Sequence, residues 1–187
     1  MNRFLLWICL TLASLLATGP AHALDQVSPS HDHDALVLWV QDNATGPMST
    51  AKAASIVKYA YKYAFKHEMD PLLVLSVLRV ESGYRDKVVS SYGARGMSQV
   101  VPRWHRDKLK GRPLTNTAVA IEVGTQVLKD CSDKHRGNRF KTLGCYSGGG
   151  GKRYHNKVMV QLKSMRKNII EARVSPQRLL YAAYTEK

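Results

Sequence analysis

Acidic residues are scarce in this chain. It carries 14 aspartates and glutamates against 28 lysines and arginines, a formal net charge of +14. A field of that sign draws polyanions such as nucleic acid, anionic lipid and acidic wall polymers. The basic residues are spread along the chain and form no block, so no specific nucleic-acid partner is expected. Cysteines are few as well: three, one of which (Cys9) lies in an apolar leader. Only Cys131 and Cys145 remain to pair. No convincing apolar/polar alternation appears outside residues 36–40, "LVLWV", which excludes a sheet-built fold. No internal repeat is visible. His105, His135 and His155 lack metal-ligand spacing, and no metal or other cofactor is expected. His31 and His33 alternate with Asp32 and Asp34, a pattern that can ligate a metal but more often marks a solvated N-terminal segment.

What is present begins with a targeting pattern. A short basic start at Asn2-Arg3 precedes the apolar residues 4–17, a Gly19-Pro20 break and a small-x-small site at Ala21-His22-Ala23. This reads as a signal peptide over residues 1–23 and a periplasmic or secreted product. The apolar run is shorter than the about 20 residues a membrane span needs, so no stable span is expected after cleavage. Export permits a disulfide between Cys131 and Cys145, which would close a loop of about 15 residues and contribute roughly 3 kcal/mol. Two buried free thiols are the alternative.

Residues 24–48 are polar and turn-rich, with residues 36–40 as a short extended or docking segment. From residue 49 the periods are helical. Ala53, Ile56, Val57, Ala60 and Ala64 follow an i, i+3, i+4, i+7 rule. Asp70-Pro71 is a helix start, with a capping side chain and a proline suited to the first turn. Residues 72–80 are apolar nearly all round, which predicts a buried helix ending at Gly83. Long helices are predicted over residues 117–134 and 154–172, and shorter ones over 103–109 and 139–146. The fold class is mainly α, a compact helical domain over residues 49–172 with a C-terminal tail at 173–187.

One stretch carries the chemistry: "VESGYRDKVVSSYGARGMSQVVP". Glu81 sits in the last turn of the apolar helix. Apolar surroundings and the negative helix end both disfavour a carboxylate and raise its pKa. A carboxylic acid that keeps its proton near neutrality is what a general acid requires. The other reading is a glutamate that leaves into solvent or pairs with Arg85. Ser90, Gly93, Gly96 and Gln99 follow in a polar, glycine-containing loop suited to sugar hydroxyl and acetamido groups. Asp86 is the nearest other carboxylate. Glu122 falls off the apolar stripe of its helix and reads as a surface charge.

Glu81-Ser82, then Ser90, Gly93, Ala94, Gly96, Met97, Gln99 and Pro102, resemble the signature of the soluble lytic transglycosylase family, which has a lysozyme-like fold. Ile121 and Gly124 resemble a later element, as do Tyr146 with Gly149, and Tyr154 with Lys157 and Val158. The resemblance spans roughly residues 52–160. Ser98, Trp104, Ala120 and Ser147-Gly148 depart from the family pattern and bear on the detailed sugar contacts.

The resemblance implies an enzyme of peptidoglycan glycan strands with Glu81 as single acid/base. Glu81 would protonate the oxygen linking N-acetylmuramic acid to N-acetylglucosamine, then take a proton from the muramoyl C6 hydroxyl as it closes a 1,6-anhydro ring. A second carboxylate, which ordinary glycosidases use, would be unnecessary. Ser90, Met97, Gln99 and Tyr146 would line the groove or orient the sugar and acid. Met97 and Tyr146 also have a plain core reading. Asp86 as a second base would give a lysozyme-like muramidase instead. Further alternatives are a non-enzymatic glycan-binding component and a basic module for lipid or nucleic acid. Secretion, conjugation and phage assembly apparatus are the candidate partners.

Overall fold

The computed structural model describes residues 29–174, and the expected signal peptide over residues 1–23 and the tail beyond residue 174 lie outside the described residues. Seven α-helices and a 3-10 helix at Pro102–Trp104 account for the regular structure among the described residues, with no strand. They are α1 (Pro29–Asp42), α2 (Thr50–Lys66), α3 (Pro71–Ser82), α4 (Arg106–Leu109), α5 (Thr117–Lys134), α6 (Arg139–Tyr146) and α7 (Gly151–Val174).

The helix starts follow the expected capping chemistry. Asp70 Oδ1 accepts from the Leu72 amide at 2.9 Å, with Pro71 in the first turn. Ser49, Asn116 and Asn138 do the same for α2, α5 and α6. Each cap satisfies one amide that the helix itself cannot.

Residues 36–40 correct the reading of an extended segment. They form the middle of α1, and Leu36, Val37, Trp39 and Val40 are all buried. Their β-branched character favours a strand locally, but neighbours on two sides override that preference. α1 packs on α2 and α7. Trp39 Nε1 donates to Ser164 Oγ of α7 at 3.1 Å, and Asp32 pairs with Arg173 of α7. The segment taken as polar therefore supplies part of the core.

α3 is the apolar centre, with residues 73–78 buried. α7 crosses α1, α3 and α6. α5 and α6 are joined by the Cys131–Cys145 disulfide. Between α3 and α4 lies an irregular lobe at residues 83–101. It has only isolated bridges, Val89 to Arg95 and Arg95 to Val100. Glu122 corrects a second expectation. Its side chain is only 15% exposed, held by Lys66 at 2.9 Å and Arg112 at 2.6 Å. Burial pushes its pKa up, but those two cations outweigh it and the net direction is down.

Candidate active site

Glu81 is the penultimate residue of α3 and half-buried. Its Oε1 accepts a hydrogen bond from Tyr154 Oη on α7 at 2.5 Å. Burial raises its pKa from the ordinary 4.5 to about 7, with the Tyr154 hydrogen bond pulling the other way. Burial and the Glu81 charge hold Tyr154 protonated far above the usual tyrosine range. Tyr146, at the end of α6, is raised by the same two causes. Its hydroxyl donates to the Ser98 carbonyl at 2.8 Å. A carboxyl group thus faces two phenols that stay neutral, and among the described residues no cation offsets its charge.

The residues after Glu81 explain how this end of the helix is held. Ser82 Oγ donates to the Met97 carbonyl at 2.7 Å and accepts from the Arg85 amide at 3.2 Å. It ties the acid-bearing turn to the irregular lobe. Gly83 then takes a left-handed φ of 60°, and a Cβ there would stand 2.0 Å from Thr45 Oγ1. Gly96, with φ 70°, would meet the Leu114 carbonyl oxygen at 2.0 Å in the same way. Both positions require glycine for conformation and for space. At Gly124 of α5 a Cβ would lie 2.4 Å from Ser98 Cβ and 3.3 Å from Tyr146 Oη, so this helix must pass close beneath the site.

The predicted loop residues divide. Ser90 Oγ accepts from the Ala94 amide at 3.0 Å, bracing a tight turn, and its hydroxyl hydrogen remains to be donated. Gln99 Nε2 donates to the Val88 and Gly96 carbonyls at 3.1 and 2.9 Å, which leaves Oε1 as its acceptor. Met97 is fully buried, so its side chain belongs to the core and only its carbonyl is tied to the turn bearing Glu81. Tyr146 is half-buried and joins the Glu81 cluster. Asp86 is held by Lys52 Nζ at 2.5 Å and Thr117 Oγ1 at 3.0 Å. The three groups join α2, the lobe and the start of α5. Lys52 and Asp86 line an open cleft of about 790 Å³ that also takes in Gly83, two residues past Glu81.

Sequence reasoning placed Tyr154 at the start of the helix over residues 154–172, in an element with Lys157 and Val158, and missed its contact with Glu81. It also missed Lys52 and Thr117 as partners of Asp86. A tyrosine has an apolar ring and a polar tip that seeks a partner when buried, and that was the available signal. Among the described residues no group of three or more His, Cys, Asp or Glu side chains gathers as a metal site would.

The family model of the transglycosylase SLT domain matches residues 58–169. The chain belongs to this family. The SLT match runs from within α2 into α7 and contains Glu81, Tyr146, Tyr154 and the irregular lobe. SLT domains are peptidoglycan lytic transglycosylases acting outside the cytoplasm, so membership supports a glycan-cleaving, lysozyme-like role. No helix of the SLT chain, among the described residues, is long and apolar enough to cross a membrane.

Proposed function

We propose that this chain is an exported lytic transglycosylase that cleaves the β-1,4 bond between N-acetylmuramic acid and N-acetylglucosamine, with Glu81 as sole acid/base. The observation that carries this reading is a half-buried carboxyl group with its pKa raised to about 7, hydrogen-bonded to Tyr154 and, among the described residues, faced by no cation. Near neutrality a large fraction of the molecules carry the proton, ready for donation. Glu81 gives it to the glycosidic oxygen as the C1–O bond breaks. The muramoyl C6 hydroxyl then bonds to C1 and returns its proton to Glu81, which regenerates the acid. The Tyr154 hydroxyl supports the carboxylate between these steps and fixes its orientation. Ser90 and Gln99 retain a donor and an acceptor for sugar groups, while their other bonds keep the lobe in shape.

Asp86 is poorly placed to act as a second base, since Lys52 and Thr117 already engage it. The leader and the Cys131–Cys145 disulfide both favour an oxidising compartment. The catalytic unit we assign begins at α1, because that helix is packed into the core. Mass spectrometry of digests of purified peptidoglycan tests the reading. Anhydromuramoyl ends are expected, and reducing-end muramic acid would show hydrolysis. Wall binding with no soluble product would identify a non-enzymatic component.

A further inference from the structure

We propose that the arginine-lined cleft beside α4 binds carboxylates of the peptide stems of peptidoglycan, an inference that rests on the glycan-cleaving function above. The cleft has a volume of about 580 Å³ and is lined by Pro102, Arg103, Arg106, Leu109, Gly111 and Arg112. Arg112 is already committed. It donates to Glu122 Oε2 at 2.6 Å and to the Leu109 and Lys108 carbonyls at 3.2 and 3.1 Å, which makes it a fixed wall.

Arg103 and Arg106 differ from it. Both are exposed, and among the described residues neither pairs with a carboxylate. The Arg103 guanidinium lies over the Trp104 ring, 4.9 Å from its centroid. That contact holds a planar cation at the lip while Trp104 itself stays 63% exposed. The nearby acids are taken: Lys108 holds Asp107 at 3.2 Å and Asp130 at 2.8 Å.

Guanidinium forks match carboxylates two bonds at a time, and a concave wall favours a small charged group over a flat surface. The reach is also suitable. The Met97 carbonyl is bonded to Ser82, next to Glu81, and Pro102 lies five residues further on. That is at most about 18 Å of extended chain. A stem of four or five residues hanging from the muramoyl sugar spans a length comparable to that stretch, and we place its free carboxylates on this side of the site. They supply the charge that the unpaired arginines lack.

The test compares the unmutated protein with an Arg103→Gln/Arg106→Gln variant on two substrates: stem-bearing glycan strands, and strands stripped of stems by an amidase. The ratio of kcat/KM on stem-bearing to stripped strands should fall about tenfold in the variant, through KM. An unchanged ratio overturns the proposal, as does an equal loss on both substrates. So does an unchanged ratio accompanied by lost binding to phosphatidylglycerol vesicles, which would assign the cleft to a membrane surface. If the double variant fails to fold, Arg106→Gln alone carries the comparison. If the unmutated protein cleaves neither polymer, the catalytic reading fails separately. The same ratio is then read from sedimentation affinities for the two polymers.

Discussion

Glu81 and Asp86 lie five residues apart and sit in opposite surroundings. Glu81 ends an apolar helix, meets a neutral phenol and is pushed to about 7. Asp86 meets an ammonium and a hydroxyl, both within hydrogen-bond distance. The first site destabilises a charge and so stores a proton; the second satisfies a charge and so joins three parts of the chain. Identical chemistry on a short stretch of sequence becomes two different devices, and the neighbours brought by α2, α5 and α7 make the difference.

Four outcomes would break or sharpen that contrast. The largest concerns Glu81→Gln, which should lower kcat by at least about a thousandfold while leaving the fold intact, as activity and circular dichroism would show. Appreciable residual turnover would remove Glu81 from the chemistry. The same variant should also change stability with pH. Folded Glu81 keeps its proton to higher pH than the unfolded chain, so its stabilising share is complete at low pH and is lost as pH rises from 4.5 to about 7. At pH 8 the variant escapes that loss and should be more stable than the parent by up to about 3 kcal/mol in denaturant titrations. A parent as stable as its variant at pH 8 would mean the carboxylate is not penalised.

A smaller effect is expected for Tyr154→Phe. It should cost about tenfold in kcat. It should also move the alkaline limb of the pH–rate profile upward, because the lost hydrogen bond is the one that lowers the Glu81 pKa. A rate loss with no shift of that limb would mean that Tyr154 acts only on packing. The smallest effect belongs to Asp86→Asn, which should cost about 1 kcal/mol of stability, in keeping with a partly exposed ion pair. Its products should keep their anhydro ends. A collapse of turnover in Asp86→Asn would instead make that carboxylate a catalytic partner and end the single-acid mechanism.

Much of the scaffold was legible because local signals agreed with the final packing. The predicted spans of α5 and α6 coincide with the observed ones, each opened by an asparagine cap. The Cys131–Cys145 pair was open in the sequence, and the structure closes it. α1 was misread because "LVLWV" favours strand by itself, and only contact with α2 and α7 makes it helical. The raised pKa of Glu81 was foreseeable from an acid closing an apolar helix. Its contact with Tyr154 was not, since 73 residues separate them and only tertiary packing brings α7 across α3. The same holds for Lys52 and Asp86, which are 34 residues apart.

The disulfide has a further consequence. Cys145 immediately precedes Tyr146, so the tie that closes α6 onto α5 also anchors the backbone from which that phenol reaches the Ser98 carbonyl. Thiol oxidation therefore finishes one wall around the acid as well as stiffening the scaffold. Reduction of that bond should loosen the Tyr146 side of the acid's surroundings before it unfolds the scaffold, an outcome that activity measured against reductant concentration would check.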